Sequence, residues 1–257
     1  MKLNVEEMSS FLMYRMCAPE ATQTINKYFP NRIPVTTSQE LEGRLKDRVQ
    51  KLPEGKTALA LSGGIDSAIL AKFMPKGSVA YTFKCIVPGI EVTNETPVAA
   101  KYAKECGLEH RIVEIYWDDF KEYSERLMKH KKAPIHSIEV QIYKALLRAK
   151  EDGIETVVFG EAADVNIVLP FPETYMASEM DYDRIRRGEN KYLVRKVFQR
   201  LYPEFMVPPK TPMPRPMNEW LKDWKGPKRQ EFWENCAEDL TGDQKWLLWS
   251  LEAFLNM

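Results

Sequence analysis

The sequence predicts an α/β fold, a doubly wound parallel sheet flanked by helices, on three observations. Short apolar runs alternate with helical periodicity from Thr57 to Phe159, and a glycine-serine turn joins the first run to the first helical stretch. Beyond Pro170 this rhythm gives way to a proline-rich, then helical, pattern. The expected organisation is a helical N-terminal extension over residues 1–55 and a main domain over 56–257. Within the latter, 170–257 forms a helical C-terminal section packed on the sheet.

Thr57–Leu61 is a short apolar run that fits a buried parallel strand. Ile65, Ile69, Leu70, Phe73 and Met74 then follow helical spacing until Pro75-Lys76-Gly77 stops them. Val79–Lys84 is β-rich and reads as the second strand. From Glu95 to Cys106 a helix carries Val98, Ala99, Tyr102, Ala103 and Cys106 on one face, with Gly107 just past its end. His110–Ile115 alternates as the third strand, and a helix follows from about Asp118 to Met128. After a basic loop broken by Pro134, Ser137 is placed to cap a helix whose stripe is Ile138, Ile142, Ala145, Leu146 and Ala149. Thr156–Phe159 is the fourth strand and runs into Gly160-Glu161-Ala162-Ala163-Asp164. Near the C-terminus, Trp246, Leu247, Trp249, Leu251 and Phe254 form a helical stripe expected in the core.

With 257 residues, the chain suits one large domain or one domain with an appendage. Lys+Arg and Asp+Glu balance at 37 each, so no overall field draws it to nucleic acid or an anionic membrane. The opening MKLNVEEMSSFLMYRM has acids among its apolar residues and no signal-peptide core. No stretch approaches the roughly 18 apolar residues of a membrane span. Cys17, Cys85, Cys106 and Cys236 are scattered without ligand spacing and read as reduced thiols. The expected location is the cytoplasm.

The turn Ser62-Gly63-Gly64-Ile65-Asp66-Ser67 carries the chemistry. Gly63 and Gly64 allow conformations and backbone approaches that a Cβ would block, leaving amides free at the positive end of the next helix. Ser62 and Ser67 add hydroxyls, so the turn is suited to an anion. Asp66 fits beside phosphate only if a divalent cation lies between them. The Gly-Lys-Ser/Thr of the Walker loop is missing, as is GxGxxG.

SGGIDS resembles the pyrophosphate-binding loop of the PP-loop ATP pyrophosphatases, which have a Rossmann-like sheet and cleave ATP between its α- and β-phosphates. Within that group, VVFGEAAD and KYLVRKVFQRLYPEFMVPPKTPMPRPMNEWL resemble segments of the asparagine synthetase synthetase domain, and MSSFLMYRMCAPEATQTI resembles the stretch just upstream of it. In a doubly wound sheet the first and fourth strands are neighbours and ligands bind where their carboxyl ends meet. Asp66 and Asp164 follow those two strands, and the resemblance gives both to one Mg²⁺ ion. It also implies that Leu61, Phe83, Phe159 and Gly160 meet adenosine through backbone groups. Ser62, Gly63, Gly64 and Ser67 would hold pyrophosphate. Glu161 would act near the reacting carbonyl, and Lys210 would stabilise charge on the adenylating phosphate, with Arg215 a weaker neighbour.

The implied activity is an ATP-dependent, AMP-forming ligase that adenylates a small carboxylate for attack by ammonia or an amine. Val165 stands where the family pattern has an acid, Phe159 and Ala162 replace smaller residues, and the stretch between Asp164 and Lys191 is short. These departures bear on the acceptor more than on ATP. The N-terminal cysteine of a glutaminase domain is not present, so nitrogen is expected from free ammonia, an amine substrate or a separate glutaminase. Two alternatives stay open: a PP-loop enzyme modifying nucleotides or tRNA, and a non-catalytic ATP-binding relative.

Overall fold

A computed structural model describes residues 2–17, 29–160, 167–177, 182–189, 191–209 and 215–257. The main sheet has five strands, β2 (Thr57–Ala60), β3 (Val79–Cys85), β4 (Glu109–Ile115), β5 (Thr156–Val158) and β6 (Ile167–Val168). They lie in the order β4-β3-β2-β5-β6, and every pairing is parallel. The chain steps outward from β2 to β3 and β4, then returns to place β5 on the other side of β2. The strand order therefore reverses between β2 and β5, where the first and fourth strands were expected to meet.

Period-two geometry divides the buried residues between two apolar layers. Leu59, Leu61, Ala80 and Val158 face one layer, built on α2 (Ser38–Gln50), α3 (Ile65–Ala71), α4 (Thr96–Cys106) and α8 (Tyr192–Leu201). Ala58, Ala60, Tyr81, Cys85, Val157 and Phe159 face the other. There they meet α1 (Val5–Tyr14), α5 (Trp117–Lys131), α6 (Ser137–Glu151), α9 (Met217–Trp220) and α10 (Gly242–Leu255). Burial on both faces is why β2 shows no polar alternation. Each large apolar side chain so enclosed contributes about 1.5–3 kcal/mol.

Local signals explain most helix boundaries. Thr37 Oγ1 accepts the Glu40 amide at 3.1 Å, and the Glu40 carboxylate returns to the Thr37 amide at 3.3 Å, a reciprocal cap for α2. Gly107 ends α4 in the left-handed region at φ 66°. One boundary differs from expectation, because His136, not Ser137, caps α6. The Glu139 carboxylate accepts the His136 amide at 2.7 Å, so the helix begins one residue earlier and Ser137 is already inside it, fully buried.

The parts outside the main sheet are helical, as expected, but each also supplies a strand. β1 (Ile33–Val35) and β7 (Thr174–Met176) form a separate parallel pair, with Ile33 opposite Thr174 and Val35 opposite Met176. Arg32 Nη2 donates to the Thr174 carbonyl at 2.7 Å, and Arg48 meets Glu173 at 2.8 Å, tying the N-terminal segment to the region beyond Pro170. The short helix α7 (Tyr182–Arg186) precedes α8. No helix among the described residues is long and apolar enough to cross a membrane.

The C-terminal stripe is core. Trp246, Leu251 and Phe254 are almost completely buried, and Trp246 Nε1 donates to the Ile135 carbonyl at 3.1 Å. At the start of α10, Gly242 packs against the backbone of Met217 and Asn218 so closely that a Cβ would collide with both. Its amide also donates to Asn218 Oδ1 at 2.5 Å. Gly242→Ala is therefore expected to destabilise the protein by about 3 kcal/mol through overpacking. Urea unfolding checks this, and an unchanged midpoint would mean that α9 moves aside freely.

Candidate functional site

The Ser62–Ser67 turn leaves the carboxyl end of β2, beside the point where the strand order reverses. Its two hydroxyls close the turn on itself. Ser67 Oγ accepts the Ser62 amide at 3.0 Å and lies 3.0 Å from Ser62 Oγ, which in turn accepts the Gly64 amide at 3.1 Å. Gly64 precedes α3 in an extended conformation and, among the described residues, no side chain caps the helix. The first-turn amides of Ile65, Asp66 and Ser67 lie where the helix has no internal acceptor for them, at its partially positive end.

The two glycines do not serve a left-handed backbone. Gly64 has φ −84°, and neither it nor Gly63 lies in the left-handed region. A Cβ on Gly63 would meet Glu95 and Val98 at an ordinary 3.5 Å. A Cβ on Gly64 would stand 3.3 Å from Ser62 Oγ, and the approach is tightest at Gly160, where a Cβ would stand 3.1 Å from the Ser67 amide nitrogen and 3.2 Å from Asp66 Cβ. Gly160 thus lets the end of β5 close on the first turn of α3. Nothing in the residues around it announces this, because the contact joins segments more than ninety positions apart.

Phe83 and Phe159 flank the end of β2 from the two neighbouring strands, their ring centroids 6.4 Å apart and tilted by 47°. Phe159 is buried. Leu61 sits at the base of the turn, with its amide donating to the Tyr81 carbonyl at 2.8 Å. The structure thus gathers Leu61, Ser62, Gly63, Gly64, Asp66, Ser67, Phe83, Phe159 and Gly160 at one sheet edge. Glu161, Asp164 and Lys210 lie outside the described residues, as do Ala162 and Val165.

Asp66 stands on the first turn of α3, its side chain about one fifth exposed, and accepts a hydrogen bond from Lys191 Nζ at 2.8 Å. Lys191 is the residue before α8 and holds a left-handed conformation at φ 57°. Lys191 belongs to no motif that marks the site. Its only signal was its position at the head of KYLVRKVFQR, since 125 positions separate it from Asp66.

Arg215 is nine-tenths buried, paired with Asp243 at 3.0 Å and 3.4 Å from His136 Nε2. Burial, together with the charges of Arg215, Arg15 and Lys131, pushes His136 down to about 3, so it is neutral near pH 7. Burial also drives the Cys85 thiol up to about 12, which leaves it protonated and unreactive at the end of β3. No disulfide joins the four cysteines.

As for Mg²⁺, no cluster of three or more metal-ligating side chains occurs among the described residues. Asp66 is the carboxylate that the described part of the turn offers, and one carboxylate is compatible with Mg²⁺, which takes one or two of them and completes its shell with phosphate oxygens and water.

A family model described as asparagine synthase matches residues 40–167. A search of curated proteins finds no match. Among solved structures, an NH3-dependent NAD synthetase from Campylobacter jejuni is similar at 13% identity and TM-score 0.32, over 62% of this chain and 75% of that one. NMN synthetase from Francisella tularensis is similar at 14% identity and TM-score 0.33, over 68% and 97%. A predicted subunit of tRNA methyltransferase from Methanocaldococcus jannaschii shows 16% identity and TM-score 0.32, over 65% and 86%. The doubly wound topology stands on the strand order and its hydrogen bonds.

Proposed function

We propose, from the match of residues 40–167 to the asparagine synthase family model, that the chain is an AMP-forming ligase joining a small carboxylate to ammonia or an amine. The observation that carries this reading is the position of Ser62–Ser67 at the strand-order reversal, inside the matched segment. In the first half-reaction a carboxylate oxygen attacks the α-phosphorus of ATP and pyrophosphate leaves. In the second, the nitrogen lone pair attacks the acyl carbon, AMP leaves with the bonding electrons, and the nitrogen gives up a proton.

The chain's own contribution is largely positional and electrostatic. The first-turn amides of α3 would donate to the departing pyrophosphate, joined by the Ser62 and Ser67 hydroxyls once these exchange their bond to each other for phosphate oxygens. Asp66, with Asp164 by resemblance, would hold Mg²⁺, which when bound neutralises charge on the phosphate oxygens. By the same resemblance Lys210 acts on the adenylating phosphate, and Glu161 acts near the acyl carbon. By the same resemblance the backbone groups of Leu61, Phe83, Phe159 and Gly160 would meet adenosine.

The test is a panel of carboxylates with Mg²⁺-ATP, with and without ammonium, read as AMP and pyrophosphate. The expected result is equimolar AMP and pyrophosphate for one carboxylate class. At fixed total ammonium the rate should rise with pH, because unprotonated ammonia is the nucleophile. ADP with phosphate, or AMP released only with a nucleic acid acceptor, would overturn the reading.

A further inference from the structure

The end of β2 is held in an uncommon way. Leu61 is the first residue beyond β2, and its amide makes one more ladder bond, to the Tyr81 carbonyl at 2.8 Å. Its own carbonyl accepts instead from a side chain, the hydroxyl of Thr82, at 2.6 Å. Thr82 is fully buried on β3, and its Oγ1 lies 2.8 Å from His110 Nε2 on β4. His110 stands opposite Ala80 in the ladder, which puts it diagonal to Thr82 on the same face.

The proton inventory orders this chain. A carbonyl only accepts, so the single Thr82 proton points at Leu61, and His110 must donate from Nε2 to Thr82. Burial lowers the pKa of His110, in keeping with a neutral ring that keeps its proton on Nε2. Three adjacent strands are thereby linked through side chains at the edge where Ser62 begins. The direction of the Leu61 carbonyl sets the plane of the Leu61–Ser62 peptide, and with it the start of the turn.

We propose that Thr82 and His110 are positioning residues for the nucleotide turn: they fix the Leu61–Ser62 peptide and so aim the Ser62–Ser67 donors at the phosphates. This rests on the reading of that turn as the ATP site. It assigns to two residues on neighbouring strands, outside the motif, a share of ATP affinity.

The experiment is titration of the full chain with Mg²⁺-ATP by calorimetry, alongside far-ultraviolet circular dichroism and steady-state kinetics. Thr82→Val, which keeps the shape and removes the hydroxyl, should weaken ATP binding about tenfold, the loss of one buried hydrogen bond. The KM for ATP should rise while that for the carboxylate stays unchanged, and Thr82→Ser should restore binding. His110→Leu should weaken binding about threefold, and His110→Gln, whose amide can still donate, should not. If Thr82→Val does not fold, the Thr82→Ser and His110 variants decide alone. Folded Thr82→Val binding ATP within twofold of the unaltered chain, or equal effects of His110→Leu and His110→Gln, would overturn the proposal. An unaltered chain that fails to bind Mg²⁺-ATP would sink the reading of the site itself, a separate outcome.

Discussion

Replacing Asp66 by asparagine is expected to lower Mg²⁺-dependent AMP formation by about 10²–10³-fold, the usual loss when one preorganised charge partner of a transition state is removed. The fold should survive. Asp66 lies on the first turn of α3 beside the donors proposed to meet phosphate, and a carboxylate there would need a divalent cation between it and the phosphate. In the structure its negative charge is balanced by Lys191 at 2.8 Å, and that lysine is about half exposed. Losing an exposed ion pair of this kind costs about 0–1 kcal/mol, so thermal stability should barely change. Asp164→Asn should behave alike on the sequence resemblance. AMP formation by Asp66→Asn within tenfold of the unaltered protein would show that the carboxylate serves Lys191 alone.

Enlarging Gly160 should damage the site from the opposite side. The nearest neighbours of a Cβ there are the Ser67 amide nitrogen and Asp66 Cβ, at 3.1 and 3.2 Å, both on the first turn of α3. Backbone cannot swing away as a flexible side-chain tip would, so the turn itself must shift. Gly160→Val is expected to lower kcat/KM for ATP by about 10²-fold, the scale of a misplacement near 1 Å. Overpacking should lower stability by about 2 kcal/mol, and Gly160→Ala should give a smaller version of both effects. Kinetics paired with urea unfolding separates them: stability lost without any change in kcat/KM would mean that α3 moves as a rigid body and carries its donors with it.

Four of the five strands of the main sheet were legible because each strand-helix unit is longer than its own period; β6, two residues long, was not. Thr57–Leu61 and the helical spacing from Ile65 each repeat often enough to be recognised, and alternation with helices then dictates parallel pairing. β1 and β7 were not legible: Ile33-Pro34-Val35 and Thr174-Tyr175-Met176 are three residues each, too short to show alternation, and Pro34 argues locally against a strand. The cap of α6 was missed because Ser137 is the better intrinsic cap, yet Glu139 reaches the His136 amide and moves the boundary. At the candidate site the serines and Asp66 were visible as a motif. The steric demand at Gly160, the Lys191 contact and the Thr82–Leu61 bond join residues far apart in sequence, and only the strand order creates them.

The aromatic packing at the seam of α5, α9 and α10 gives the molecule an uneven optical response. Four of its six tryptophans share that seam. Trp117 stacks on Trp220 at 5.7 Å, and Trp246 on Trp249 at 4.9 Å, with Trp117 edge-on to Trp246 at 6.3 Å. The apolar layer around α3 and α4 holds tyrosine and phenylalanine but no tryptophan. Light absorbed at the red edge is therefore taken up almost wholly on one side of the sheet, and at these spacings the excitation is shared among the indoles. Tryptophan emission and the near-ultraviolet dichroic bands report how the C-terminal section is seated on the sheet. The layer that carries the Ser62–Ser67 turn is dark at those wavelengths.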